Sequence, residues 1–191
     1  LCEGVRLKSL SLEEYQALRA GAEVLEYDAH GDKVLRLENG NILKMFRRKR
    51  LISSAAWKPY ARRFADNCAA LRKLGIPVPE LVAVLKVPAI QRDAVLYIPL
   101  PGRTIREVRR SGMSSAEEES LKKKFHEFVD RLHSLGIYFR SLHLGNVVLM
   151  PSGELGLIDV ADVKIYPFPL NFWLKERTVK RIATLEEDKY F

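Results

Sequence analysis

Cysteine is scarce in this chain of 191 residues: only Cys2 and Cys68 occur, too few for a disulfide-built scaffold. Cys2 lies near a terminus and Cys68 on the apolar stripe of a predicted helix, so both read as unpaired thiols of a reducing compartment. No Cys/His spacing of the metal-binding kind is present. The four histidines, His30, His126, His133 and His143, are scattered and must be judged singly. No run of about 18 apolar residues occurs, so no membrane-spanning helix is expected. Leu1 is not a start methionine and the first residues do not read as a signal peptide, which leaves a removed leader open. There is no internal repeat and no low-complexity segment.

What remains is a globular composition, 47% hydrophobic and 29% charged, long enough for one domain or two small lobes. Lys and Arg outnumber Asp and Glu by 32 to 24, giving a formal charge of +8. The excess is uneven. Arg47-Arg48-Lys49-Arg50 is one tract, Arg62-Arg63 lies nearby, and Lys175, Arg177, Lys180 and Arg181 form a second group. Such a field attracts phosphates, acidic glycolipids, membrane surfaces or nucleic acid; the bland alternative is a solvated basic face.

Residues 10–21 read as a short helix, with Ser11 and Glu14 in capping-box spacing. Residues 22–27, 33–38 and 41–46 read as three strands, the last two joined by Asn39-Gly40, a type I′ hairpin signal. That turn places Leu35 opposite Lys44 and Leu37 opposite Ile42, with all four side chains on one face. A lysine among them either meets an anionic ligand or snorkels from the sheet edge. A helix over 58–74 follows, with Pro59 in its first turn and a stripe of Tyr60, Ala61, Phe64, Cys68, Leu71 and Leu74. Gly75, Pro77 and Pro79 end it. Strands at 81–84 and 94–98 complete a mostly antiparallel sheet of about five, and Pro99-Leu100-Pro101-Gly102 is a stiff connector.

The expected domains are therefore residues 1–101 and 102–191. In the second, helices are expected near 104–110 and over 116–135, the latter behind a Ser115/Glu118 capping box. A hairpin of 147–150 with 155–158 follows, and a helix over 171–183 preceded by aromatics. The segment 138–146 lies between a helix end and that hairpin, whose far end delivers Asp159. A tight hairpin returns close to its start, so Asn146 and Asp159 converge, and both offer the hard oxygens that suit Mg²⁺ carrying phosphates. Read singly, Asn146 caps a turn as readily, and Asp159 is equally an ordinary strand-end carboxylate.

The order of three strands with a lysine, a helix, further strands, a linker, a helix, a loop with Asn146, and a hairpin ending in Asp159 resembles the protein-kinase-like superfamily. Phe139-Arg140-Ser141 sits where kinases carry His-Arg-Asp, and Leu142-His143-Leu144-Gly145-Asn146 resembles the loop of small-molecule and sugar kinases. Gly75-Ile76-Pro77-Val78-Pro79 and Leu100-Pro101-Gly102-Arg103 resemble the branch containing aminoglycoside and lipopolysaccharide-core kinases. Residues 138–149 and 155–162 resemble bacterial toluene tolerance or lipopolysaccharide kinase-like proteins. The resemblance implies an α+β, two-lobed protein-kinase-like fold with a small antiparallel-sheet N-lobe and a mainly helical, shortened C-lobe. It implies ATP and Mg²⁺ as cofactors. Lys44 becomes the phosphate-contacting lysine, with Ile42 and Leu35 beside it, while Tyr97, Ile98 and Leu100 form the hinge that meets adenine. Asn146 and Asp159 become the metal ligands.

The chain departs from that pattern. Ser141 replaces the catalytic aspartate, Asn67 beside Asp66 stands where a lysine-pairing Glu is expected, and Gly31 is the single glycine of the phosphate-covering turn. Asp159-Val160-Ala161 replaces Asp-Phe-Gly, and the short segment after it has little room for a peptide-docking lobe, which argues against a protein kinase. Phosphoryl transfer rests mainly on positioning and charge neutralisation, so a missing carboxylate at 141 does not end catalysis. His143 and Asp162 are the candidate substitute bases; alternatively His143 packs its loop and Asp162 caps the following turn. Three readings stand. The first is a kinase for a small molecule or glycolipid, a sugar of the lipopolysaccharide core. The second is a pseudokinase that binds nucleotide and serves as a regulatory or scaffold partner in envelope assembly. The third, a nucleic-acid-binding domain, is disfavoured because only the charge supports it. The expected location is the cytoplasm, with peripheral contact at the inner membrane through Tyr166, Phe168, Phe172, Trp173 and the basic 175–181 stretch, unless those aromatics close the larger lobe.

Overall fold

The computed structural model describes residues 7–29, 31–47 and 59–183. Cys2, His30, residues 48–50 of the basic tract and Lys58 lie outside them. The chain divides into two compact units: residues up to Ala70 with Pro79–Pro99, and Leu71–Val78 with residues from Leu100 onward.

The first unit is a six-stranded sheet with two helices. Its elements are β1 (Leu7–Ser9), α1 (Leu12–Arg19), β2 (Glu23–Asp28), β3 (Gly31–Arg36), β4 (Ile42–Arg47), α2 (Tyr60–Lys73), β5 (Glu80–Val87) and β6 (Arg92–Ile98). Strand order is β1-β5-β6-β4-β3-β2. The short edge strand β1 pairs parallel with β5 and the other pairings are antiparallel, so the sheet is wider than the expected five strands by one. Helix α1 starts at the expected capping box: Ser11 Oγ accepts from Glu14 N–H at 3.1 Å and Glu14 Oε2 accepts from Ser11 N–H at 2.8 Å.

The β3–β4 turn differs from the expected type I′. Leu37 N–H donates to the Asn41 carbonyl and Gly40 N–H to the Leu37 carbonyl, both at 2.8 Å, with Gly40 at φ +82°. This is a three-residue loop, and Asn39 keeps negative φ while its Oδ1 accepts from Asn41 N–H at 3.0 Å. The extra residue shifts the register by one, to Val34↔Lys44, Leu35↔Leu43 and Arg36↔Ile42. A one-residue shift exchanges faces. Leu35 and Leu37 therefore point to the face away from Lys44 and Ile42, into a core with Leu10, Tyr15, Leu43, Met45, Leu85, Val87 and Ala94.

A polar network ties α1 to this core side. Asp32 accepts from Tyr15 Oη at 3.2 Å and from both Nε and a terminal nitrogen of Arg19. The Arg19 hydrogen bonds hold the Asp32 carboxyl below the usual carboxylate range, against the opposing effect of burial. On the Lys44 face, Phe46 stacks with Tyr60, and Phe64 of α2 stacks on Tyr97 at 5.3 Å between centroids. The stripe read from the sequence is buried at Ala61, Phe64, Cys68 and Leu71.

The second unit contains β7 (Arg103–Thr104), α3 (Ile105–Arg110), α4 (Ser115–Ser134), β8 (Ile137–Phe139), β9 (Val147–Leu149), β10 (Leu155–Leu157), β11 (Val163–Ile165) and α5 (Phe172–Ala183). The cap of α4 lies one residue earlier than expected: Ser114 and Glu117 form the reciprocal box. Glu118 pairs instead with Arg109 at 2.9 Å. Helix α4 buries Leu121, Phe125, Phe128, Val129, Leu132 and His133. Segment Leu71–Val78 is fastened here by Leu157 N–H to the Pro77 carbonyl at 2.9 Å and by Arg131 to the Gly75 carbonyl at 3.0 Å. A Cβ on Gly156 would stand 2.9 Å from that Pro77 oxygen, so only glycine allows the approach. The fold is α+β, with a multi-strand N-terminal sheet followed mainly by helices.

Candidate active site

Two short strand pairings assemble the loop chemistry. β8 and β11 pair antiparallel, Val163 with Phe139 and Ile165 with Ile137. That register brings the residues leaving β8 alongside those entering β11. Ser141 Oγ donates to Asp162 Oδ1 at 2.9 Å, and Arg140 Nε lies 3.5 Å from Asp162 Oδ2. The hydroxyl that replaces the expected aspartate is thus bonded to a carboxylate 21 positions away.

β9 and β10 form the hairpin expected over 147–158, in register Val147↔Leu157. Ile158 N–H donates to the Asn146 carbonyl at 3.0 Å, so the hairpin closes on Asn146, one residue before Asp159. Buried Asn146 donates its Nδ2 to the Ser141 carbonyl at 2.9 Å. That bond assigns Nδ2 to the loop and makes Oδ1 the atom with which Asn146 would ligate a cation. Asp159 adopts left-handed backbone, φ 56° and ψ 40°, leading into a 3₁₀ turn over Val160–Asp162. Such a conformation is strained for most residues and tolerated best by Asp and Asn.

His143 is used differently. It caps the 3₁₀ turn Leu144–Asn146, its Nδ1 accepting from Gly145 N–H at 3.0 Å. In a neutral ring that acceptor role puts the proton on Nε2, so neither nitrogen of His143 is set up as a base. The structure therefore joins Ser141, Asn146 and Asp162 in one hydrogen-bonded group, sets Asp159 at its edge, and spends His143 on the loop.

In the first unit Lys44 pairs with Val34 and Val95, its ammonium 6.0 Å from the Phe46 ring centroid. Ile42 and Tyr97 are cross-strand partners and share the Lys44 face. Leu35 does not: it is fully buried on the other face, and Val34 holds the position expected of it. Ile98 is 44% exposed at the end of β6. In the second unit Leu100 packs against Gly156. Asp66 pairs with Arg62 one helical turn away at 3.4 Å.

The sequence grouped the basic residues of α5 but did not place them at this site. Arg177, Lys180 and Arg181 of α5 line the same concavity as Ser141 and Asp162. Their i, i+3, i+4 spacing was the available signal, since it gathers three cations on one side of a helix. Of the aromatics before and within α5, Phe168, Phe172 and Trp173 are 58%, 71% and 70% exposed, whereas Tyr166 is half-buried, with its N–H donating to the Gly136 carbonyl at 2.9 Å. Leu170, Thr178 and Ile182 are the buried positions of this segment.

With this geometry in hand, a family model matches. The phosphotransferase enzyme family aligns with residues 14–141, about two thirds of the chain, and the protein belongs to that family. The family is one of kinase-like phosphotransferases, which use a nucleotide and usually a divalent metal. Among solved structures it is similar to the bifunctional kinase-methyltransferase WbdD, at 18% identity and a TM-score of 0.46. That similarity covers 66% of this chain and 29% of the other, so the chain spans less than a third of that protein. No curated protein matches it. No helix among the described residues is long and apolar enough to cross a membrane.

Proposed function

We propose that the protein transfers the γ-phosphoryl group of ATP to a hydroxyl of a small molecule or glycolipid, a sugar of the lipopolysaccharide core. The observation that carries this reading is the 2.9 Å hydrogen bond from Ser141 Oγ to Asp162. It sets a carboxylate beside the position where the family's loop supplies one, restoring by space what the sequence loses at 141. Asp162 is then the base: it takes the acceptor hydroxyl proton as the acceptor oxygen bonds to phosphorus and the bond to the ADP oxygen breaks.

Asn146 Oδ1 and the Asp159 carboxylate fit a Mg²⁺ ion as hard oxygen donors. Two protein donors leave most of the six positions of Mg²⁺ to nucleotide phosphate oxygens and water. Mg²⁺ when bound neutralises phosphate charge. Within the first unit Lys44, Ile42 and Tyr97 share one sheet face, which fits a lysine that meets phosphate beside apolar neighbours that meet a base.

The second reading, a nucleotide-binding pseudokinase in envelope assembly, draws on Ser141 itself. Transfer of labelled phosphate from ATP to core oligosaccharides separates the two. Label appearing in wild type and lost in Asp162→Asn supports the kinase; Mg²⁺–ATP binding without any transfer supports the pseudokinase. ATP use fits a cytoplasmic protein. The exposed Phe168, Phe172 and Trp173 beside Lys175 and Arg177 fit peripheral contact with anionic lipid at the inner membrane. Sedimentation with anionic vesicles tests that contact, and absence of salt-sensitive binding removes it.

A further inference from the structure

Ser141 differs from the other hydroxyls that meet carboxylates in this unit. Thr104 with Glu107 and Ser114 with Glu117 are helix caps, and Ser152 meets Glu154 two residues on, within a turn. Ser141 Oγ instead reaches across 21 positions to donate to Asp162 Oδ1 at 2.9 Å. At that distance a carboxylate can take the proton of a hydroxyl nucleophile. The Asp162 side chain is only 17% exposed, so the contact is largely shielded from water. Ser141 lines a concavity of about 560 Å³, which leaves room for a phosphoryl group on its oxygen. Its carbonyl accepts from Asn146 Nδ2 at 2.9 Å, so one loop holds both this hydroxyl and a ligand of the proposed metal site.

We infer that Ser141 is itself a phosphate acceptor, a site at which the protein phosphorylates its own chain when no substrate hydroxyl is present. The inference rests on the phosphotransfer reading above and adds a modification site to it. Ser141 Oγ bonds to the γ-phosphorus of ATP, the bond from that phosphorus to the ADP oxygen breaks with its electron pair leaving on ADP, and the hydroxyl proton passes to Asp162. The transition state of phosphoryl transfer is loose, so an alcohol needs little activation and the hydroxyl held at the site is the one that reacts. The product is self-limiting. Phosphoserine has no hydroxyl hydrogen with which to hold Asp162, and it brings a charge of about −1.5 to −2 beside that carboxylate. The modified chain should therefore transfer phosphate to an external acceptor no faster than Ser141→Ala does.

The full chain, first treated with phosphatase, is incubated with Mg²⁺ and γ-labelled ATP in the absence of sugar, and the label is located by intact mass and peptide mapping. A single phosphoryl group should appear, on Ser141, with a first-order rate constant unchanged by dilution of the protein. Asp162→Asn should slow the labelling by about 10²- to 10⁴-fold. Ser141→Ala should leave the corresponding peptide unlabelled. Wild type carrying the label should then phosphorylate core oligosaccharide at least about tenfold more slowly than before. Label on a different residue, a rate constant that falls with dilution, or no label on the protein while core oligosaccharide is phosphorylated would each overturn the inference and leave the phosphotransfer reading standing. Mg²⁺–ATP bound, with neither protein nor oligosaccharide labelled, would overturn both.

Discussion

Asp162 and Ser141 should fail together. Asp162 accepts from Ser141 Oγ at 2.9 Å and lies 3.5 Å from Arg140 Nε. The Arg140 side chain is 71% exposed, which limits that ion pair to about 0–1 kcal/mol. The Ser141 hydroxyl is therefore the stronger restraint on the carboxylate, about 1.5–3 kcal/mol for a hydrogen bond to a charged group. At about 1.4 kcal/mol per decade, Ser141→Ala should slow transfer by about tenfold to a hundredfold. Asp162→Asn removes the base itself and should slow transfer by about 10²- to 10⁴-fold. Because the serine acts through the aspartate, the double variant should be no slower than Asp162→Asn alone, giving a coupling as large as the serine effect. The assay is phosphate transfer under single-turnover conditions, with Mg²⁺–ATP affinity measured for every variant and expected to stay within about twofold. Losses that multiply would show that Ser141 works independently of Asp162. An Asp162→Asn rate within about threefold of wild type would show that Asp162 is not the base.

Four other perturbations test the remaining structure. Asp159→Asn should weaken Mg²⁺-dependent nucleotide binding, whereas Ser141→Ala should not; calorimetry giving equal affinity for wild type and Asp159→Asn removes the Asn146–Asp159 metal site. Ser114→Ala should lower stability by about 1 kcal/mol and Ser115→Ala by far less, since only Ser114 forms the cap; urea unfolding with the order reversed refutes that assignment. Gly136→Ala should destabilise strongly, because φ is +73° and a Cβ would stand 2.4 Å from the Tyr166 carbonyl oxygen; an unchanged Tm is the contrary result. Burial, then Lys175, holds the His133 imidazole below its ordinary 6.5, with Asp130 opposing. The unfolded chain then takes up a proton near pH 6.5 that the folded chain refuses, so stability is full above that pH and falls as pH drops through it. His133→Leu should flatten that part of the stability–pH profile, and a profile as steep as wild type contradicts it.

Legibility in the sequence followed the length and redundancy of the signals. The box at Ser11 and Glu14, the stripe of α2 and the hairpin over 147–158 are repeated or strongly local patterns, and each forms as read. The faces of β3 and β4 were misassigned because Asn-Gly serves both two-residue and three-residue loops, and one residue decides which side chains turn inward. The consecutive pairs Ser114/Glu117 and Ser115/Glu118 carry the same cap signal, and only the partner Arg109 distinguishes them. β1 is three exposed residues on an edge, with no apolar alternation to announce it. The Ser141–Asp162 contact depends on β8 and β11, strands of three residues each, too short for periodicity to define.

The fastening of residues 71–78 to β10 and α4 bears on how the gene can be cut. A fragment beginning at the linker would leave the Leu157 N–H without the Pro77 carbonyl, Arg131 without the Gly75 carbonyl, and the Gly156 backbone without the chain that covers it. A buried donor stripped of its acceptor costs about 1–3 kcal/mol, a large part of a small unit's stability. Expression of the C-terminal half alone should therefore yield insoluble or protease-sensitive material. A fragment beginning before Leu71 keeps these fastenings, and so does a permuted chain opened at an exposed turn such as Asn39-Gly40.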